Sequence, residues 1–275
     1  MSLKDLLVLL DTRPASAGRL GAALALASIF EAHLTALCLV GEPSVPLVEL
    51  PPDALYRGRL EAEADRVLGD AAARAERAGV AVETRRETAA TERLQDRLVR
   101  QARHADLAIL GQPEPDDPSG TGMRLVEAAL LESGRPILLV PWIGAAGLPP
   151  RRMLAAWDGS APAARALGDA LPLLRRAERV SLAVVDPERL GGRVGEQPGA
   201  DMAAHLARHG VKVEVQAVPS GGLATADVLL DLAADTGADL LVMGGYGHSR
   251  LRELAFGGTT RDVLGRMTVP VLLAR

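Results

Sequence analysis

The chain has 275 residues, with 31 lysines and arginines against 35 aspartates and glutamates, and a formal net charge of −4. This is the composition of a globular protein, and the length suffices for one large or two ordinary domains. The acidic balance argues against a general nucleic-acid binder, and the single cysteine, Cys38, excludes an internal disulfide. Polar residues interrupt every apolar stretch, and the first residues lack the cationic start of a signal peptide, so we expect a cytoplasmic protein without a membrane partner.

Three short patterns occur twice in the same order. A strand-like run ends in an aspartate at Asp11 and again at Asp158, 147 residues later. The other two repeated runs are 105–111 with 238–244, and 135–139 with 269–273. Ordered matches of this kind indicate an internal duplication. We therefore predict two domains, residues 1–141 and 152–275, joined by a linker rich in proline and glycine.

Each half alternates short apolar runs with longer helical patterns. In the second half the strands are predicted at 153–157, 180–185, 212–217, 239–243 and 269–274, and the helices at 162–174, 200–209, 224–234 and 259–266. The first half gives strands near 6–10, 33–39, 80–84, 107–110 and 137–140, with a long helix over 53–78. Strict alternation predicts the α/β class: two tandem, doubly wound domains, each with a five-stranded parallel sheet.

Ligands of such sheets bind beyond the carboxyl ends of the strands. In the second half the first strand leads to Asp158, and the fourth ends in the glycine-rich run 243–247. Nine residues separate Gly247 from the run Gly257-Gly258-Thr259-Thr260, which opens a helix. Glycines let backbone approach a ligand closely, and the free N–H groups of a helix start favour phosphate. The carboxylate of Asp158 suits a ribose hydroxyl or an adenine amine, so the pattern predicts a nucleotide site.

With these residues the second half resembles a universal stress protein domain of the nucleotide-binding type. The resemblance rests on Asp158-Gly-Ser-x-x-Ala, on Met243-Gly-x-x-Gly247-x9-Gly257 and on Val269-Pro-Val. The whole chain is similar to the tandem form of this family, in which two such domains are fused. In the ATP-binding branch, Ser or Thr directly follows the last loop glycine. This chain has Gly258 at that position, with Thr259 one residue later.

The resemblance implies an adenine nucleotide α-hydrolase-like fold with strand order 3-2-1-4-5 in each half, and pairing of the last strands of the two halves. It implies ATP, alone or with Mg²⁺, as the ligand, and a role in the stress response with slow ATP hydrolysis at most. The implied binding residues are Ala156, Asp158 and Val184 around adenine and ribose, Met243, Gly244 and Gly247 along ribose and phosphate, and Gly257, Gly258 and Thr259 at the phosphates.

The first half departs from this pattern. Three prolines and three acidic residues within 112–118 replace the glycine-rich loop after Gly111. With an offset of 134 residues, Gly258 corresponds to Arg124. Because acidic side chains would repel phosphate, we predict that the first half is a degenerate domain without a nucleotide site, and that it serves as a structural partner of the second half.

Two groups of residues have a functional and a structural interpretation. His248, Arg250 and Arg252 follow the glycine-rich run and could contact phosphate or form a solvated loop. His205 and His209 have the helical spacing of a metal-binding pair, but no third ligand is evident, which favours a solvated helix face. We therefore predict no metal site and no catalytic residue.

Two alternatives stay open at this level. The protein could be a nucleotide-free, stress-related interaction module that acts through protein–protein association. Two tandem chains could also form a homodimer, in addition to the pairing of the two halves within one chain.

Overall fold

The computed structural model describes residues 2–42, 53–114, 117, 120–143, 148–245 and 258–275, with residues 53–56 described by their backbone alone. The described part contains eight α-helices, ten strands and two short 3-10 helices, and all ten strands belong to one sheet. None of the described helices combines the length and the hydropathy needed to cross a membrane.

The first half alternates strands and helices. Its elements are β1 (Asp5–Leu10), α1 (Ala15–Phe30), β2 (His33–Glu42), α2 (Asp53–Arg77), β3 (Val82–Ala90), a 3-10 helix (Thr91–Arg93), α3 (Leu94–Ala102), β4 (Leu107–Gly111), α4 (Thr121–Glu132) and β5 (Ile137–Val140).

The second half repeats this order. Its elements are β6 (Arg152–Ala156), α5 (Ala161–Leu174), β7 (Arg179–Val185), a 3-10 helix (Pro187–Leu190), α6 (Ala200–Arg208), β8 (Val213–Val218), α7 (Thr225–Asp235), β9 (Leu240–Gly244), α8 (Gly258–Arg266) and β10 (Val271–Ala274). The predicted strands and helices of this half are therefore confirmed to within two residues at each end.

The ten strands run in the order β3-β2-β1-β4-β5-β10-β9-β6-β7-β8. Each half thus has the predicted order 3-2-1-4-5, with parallel pairing throughout. The halves meet where β5 pairs with β10 in antiparallel register, Leu138 opposite Leu272. This is the predicted pairing of the last strands. Because it is antiparallel, the strands of the two halves point in opposite directions, and their carboxyl ends lie at opposite ends of the strands.

Helices cover both faces of the sheet, as expected for a doubly wound fold. One buried cluster holds side chains of α1, α2, α5 and α6, and the other holds side chains of α3, α4, α7 and α8. Each cluster contains residues from both halves. Polar contacts also cross the junction: the Gln112 Nε2 donates to the Leu264 carbonyl at 2.8 Å, and the Arg176 Cζ lies 5.5 Å from the centroid of the Phe30 ring. The packing of the two halves is therefore continuous on both faces of the sheet.

The third strand of the first half is longer than predicted. The sequence indicates a strand over 80–84, whereas β3 pairs with β2 over nine residues, from Val82 to Ala90. This stretch is rich in charged residues because β3 is an edge strand, half-exposed along its length. Charges on an edge strand also discourage pairing with another chain.

Cys38 lies buried in β2. Burial raises the pKa of its thiol from 9.0 to about 11, and the nearby negative charge of Asp11 adds to the effect. Because only the thiolate is nucleophilic, we expect iodoacetamide at pH 8 to leave native Cys38 unmodified and to alkylate it once the chain is unfolded. Mass spectrometry of both samples checks this. Complete alkylation of the native protein within the time needed for the unfolded chain would contradict it.

Candidate functional site

A cavity of about 320 Å³ lies at the carboxyl ends of β6 and β9 in the second half. Six of the nine binding residues predicted from the sequence line it: Ala156, Asp158, Met243, Gly244, Gly258 and Thr259. The fold brings them together because strands one and four of each half are neighbours. The order of this sheet therefore places chain segments about 90 residues apart at one site.

Asp158 is held in place by the turn that follows β6. The Ser160 N–H donates to Asp158 Oδ1 at 3.0 Å. Ser160 Oγ in turn accepts from the Ala163 N–H at 3.2 Å and so caps the first turn of α5. The carboxylate of Asp158 is thereby fixed at the mouth of the cavity, and it is the one charged side chain among the described lining residues.

A glycine at the end of β9 is required by the protein's own backbone. A Cβ on Gly244 would lie 2.5 Å from Ala163 N and 2.7 Å from the Pro162 carbonyl carbon. The sequence suggests that Gly244 lets backbone approach a ligand, whereas the structure shows that it lets β9 approach the start of α5. This close contact holds the end of β9 against the start of α5, which directly follows the turn that holds Asp158.

Two helices begin at the cavity. Thr225 is the first residue of α7 and Gly258 the first of α8, and both line it. The N–H groups of a helix's first turn lack partners inside the helix, and its dipole places partial positive charge there. Thr259 adds a partly exposed hydroxyl beside Gly258. These groups make one side of the cavity suitable for an anion.

A segment that the sequence analysis did not single out closes one side of the cavity. It begins after Asp186, which accepts a hydrogen bond from the Ser220 N–H at 2.6 Å, and it contributes Leu190 to the lining. Its backbone packs on the turn after β6, since a Cβ on Gly159 would lie 2.5 Å from the Arg193 carbonyl oxygen. Gly159 has a φ of 74°, which only glycine adopts readily. The several glycines between 191 and 199 are the sequence signal for this tight segment.

The structure does not bring Val184 into the lining. Ala183 and Val185 face the cavity instead, because side chains alternate across a strand. Val184 is fully buried on the opposite face, where its Cγ2 would lie 3.0 Å from a Cβ on Gly199. Five other residues named in the sequence analysis, Gly247, His248, Arg250, Arg252 and Gly257, lie outside the described residues.

His205 of α6 and His209, which directly follows this helix, are both exposed. The ring centroids of His205 and His209 lie 4.7 Å apart in an edge-to-face arrangement. In the described ranges, no three histidine, cysteine, aspartate or glutamate side chains are grouped as metal ligands.

The first half has a cavity at the equivalent place, the carboxyl ends of β1 and β4, with a volume of about 250 Å³. Here a carboxylate of the protein itself occupies the helix start. Asp117 Oδ2 accepts from the Gly122 N–H at 3.0 Å, in the first turn of α4. At the mouth, Glu114 forms an ion pair with Arg13 at 3.5 Å. Glu114 and Asp117, two of the acidic residues that the sequence analysis set against phosphate, thus lie at this end of the sheet.

The ends of α4 and α8 agree with the offset of 134 residues. These helices end at Glu132 and Arg266, and the strands that follow begin at Ile137 and Val271, so both pairs are 134 residues apart. Gly258, the first residue of α8, therefore corresponds to Arg124, and α4 begins three residues before that position, at Thr121.

Comparisons with known proteins agree with this architecture. A sequence model of the universal stress protein family matches residues 150–275. Universal stress protein Slr1230 of Synechocystis is 37% identical over 70 residues, which cover 26% of this chain. That match spans 23% of the length of Slr1230, or about a quarter of it.

Solved structures match the whole chain in fold. A universal stress protein from Archaeoglobus fulgidus is similar with a TM-score of 0.74 at 18% identity, over 98% of both chains. The functionally unknown protein PA1789 from Pseudomonas aeruginosa is similar with a TM-score of 0.62 at 16% identity, over 99% of this chain and 92% of that one. Residues 150–275 thus match the universal stress protein family, and the whole chain has the fold of the Archaeoglobus fulgidus protein.

Proposed function

We propose that this protein acts as a universal stress protein, that it binds ATP or a related adenine nucleotide in the cavity of its second half, and that binding serves the stress response. The observation that carries the proposal is the shared cavity of Asp158, Gly244 and the start of α8. A hydrogen-bond acceptor, a close-packed strand end and a helix N-terminus are the parts that a nucleotide requires from a parallel sheet.

The chemistry of the lining fits the three parts of a nucleotide. Ala156, Ala183, Val185 and Leu190 provide apolar contact for a base. Asp158 can accept from an adenine amine or a ribose hydroxyl, and the first turns of α7 and α8 can donate N–H groups to phosphate. Mg²⁺ would arrive with the phosphates, since the described lining offers a single carboxylate. The cavity volume of about 320 Å³ lies at the lower end of the range of ligand pockets.

The replacement of Ser or Thr by Gly258 removes one hydroxyl but keeps the backbone donors of α8. Thr259, the next residue, also lines the cavity. The described lining contains no pair of acidic and basic side chains for proton transfer, so we propose binding, with slow hydrolysis at most. A cytoplasmic location is part of the same proposal and is checked by cell fractionation.

Each cavity contains one of the chain's two tryptophans, which makes binding measurable by fluorescence. Trp157 lines the second-half cavity and Trp142 lines the first-half cavity. In the Trp142→Phe variant, we expect MgATP to change the emission of Trp157 in a saturable way. Calorimetry should give one site per chain. The matched variant Trp157→Phe, which keeps Trp142, should show no change in emission.

Flat emission together with flat calorimetry would contradict nucleotide binding and favour the interaction module. Mass spectrometry of ligands released from freshly purified protein separates the two functions independently. Released ATP, ADP or AMP in a molar amount near that of the chain is the result we expect.

A further inference from the structure

Apolar side chains form about half of the wall of the first-half cavity. Contributions come from β1, β2, β4, β5 and α4, namely Leu9, Leu39, Leu110, Val140, Leu125 and Val126. Its volume of about 250 Å³ lies below the range of pockets for drug-sized molecules. An occupant is therefore compact, with an apolar body.

A buried arginine lines this cavity. Arg19, on α1, is 5% exposed, and its Nη2 donates to Asp11 Oδ2 at 2.8 Å. Its Nε–H is buried and has no hydrogen-bond partner among the described residues. A guanidinium group carries five N–H donors, and the structure gives this one a single hydrogen bond within the described part of the chain. Because a buried donor without an acceptor is costly, this group is suited to a ligand that supplies acceptors.

The arginine is specific to the first half. Counting from Asp11 and Asp158, the position equivalent to Arg19 in the second half is Ala166, 147 residues later. Ala166 is fully buried in the core. The two cavities of the duplicated fold thus differ in the charge of one buried position.

The surroundings of Arg19 favour an anion over a neutral ligand. Ala15, Leu94 and Thr121 are the first residues of α1, α3 and α4, and all three line the cavity. Asp11 pairs with Arg19 and Glu114 pairs with Arg13, so these four charges balance each other. The Asp117 carboxylate occupies the start of α4, as described above. The starts of α1 and α3 therefore add the partial positive charge of their helix dipoles beside Arg19.

We propose that the first-half cavity binds a small monocarboxylic acid with an apolar body, and that Arg19 donates hydrogen bonds to its carboxylate. Planar carboxylates match the donor geometry of guanidinium, and apolar walls account for the rest of the ligand. This goes beyond the nucleotide site, which involves only the second half. The first half then binds a ligand of its own, in addition to its predicted role as a structural partner of the second half.

The test uses hexanoate and phenylacetate as probes, each paired with its uncharged amide. In the Trp157→Phe variant, Trp142 reports on this cavity, and calorimetry on the wild-type chain gives affinities. We expect at least one acid to bind, and its amide to bind about tenfold more weakly, because hydrogen bonds to charged groups are the stronger ones. Arg19→Gln should remove this difference between acid and amide. The matched control Arg165→Gln, on the surface of α5 in the second half, should retain it.

A second variant guards against a general folding defect. Leu125→Trp reduces the space in the cavity while Arg19 stays in place, so we expect it to weaken acid and amide alike. Saturating ATP should leave acid binding unchanged. No binding of either acid, equal binding of acid and amide, unaltered discrimination in Arg19→Gln, or displacement of the acid by ATP would each overturn the proposal. A failure of the nucleotide proposal alone would not change these outcomes.

Discussion

Replacement of Gly244 by alanine is expected to lower the free energy of unfolding by about 1–3 kcal/mol and to weaken ATP binding at least tenfold. The added Cβ would meet three backbone atoms of Pro162 and Ala163 at 2.5, 2.7 and 3.0 Å. Backbone cannot rotate away as a side chain can, so the start of α5 must move from the end of β9. That movement displaces the turn that holds Asp158. Urea denaturation and calorimetry with MgATP measure the two effects.

The same substitution at Gly168 is the matched control. Gly168 lies inside α5, and a Cβ there would meet nothing within 4 Å. Because alanine is a better helix former than glycine, Gly168→Ala should stabilise the chain by up to about 1 kcal/mol and leave ATP affinity unchanged. Equal affinities of Gly244→Ala and Gly168→Ala for ATP would refute the geometric role assigned to Gly244.

The fold could be predicted from the sequence because the strands and helices have local hydrophobic patterns, and the same order of patterns occurs twice. Apolar runs such as the one in β9 alternate with helical patterns, and the duplication relates the unclear elements of one half to the clear ones of the other. The boundaries of β3 were the largest error. Its charged residues do not look like a strand, and only the neighbouring β2 explains why they form one.

The binding residues were predicted less completely, for a physical reason. Every residue of β7 from Val180 to Val184 is buried, so alternation shows that Val184 and Val185 face opposite sides but not which side holds the cavity. The contribution of Leu190 depends on how a loop packs on the turn at Gly159, which no local pattern encodes. Arg19 was missed because an arginine in an amphipathic helix normally extends to solvent.

Leu138→Ala is expected to destabilise the whole chain, with a loss of about 2–5 kcal/mol, although it lies in the first half. Leu138 is fully buried and faces Leu272 across the antiparallel junction of β5 and β10. Both leucines belong to a cluster that contains side chains of α1 and α5. A cavity at this position therefore removes packing from both domains at once.

The two tryptophans show whether the halves unfold together. Urea transitions of Leu138→Ala, followed by Trp142 in one background and by Trp157 in the other, should shift to the same lower midpoint, because packing that is continuous between the halves unfolds in a single cooperative step. The control Leu223→Ala removes the same atoms from a side chain that is 57% exposed and should change stability by less than about 0.5 kcal/mol. A transition that shifts for Trp142 but keeps the wild-type midpoint for Trp157 would show that the domains unfold independently. In that case the shared sheet would join two autonomous units, and ligands of one cavity would stabilise only their own half.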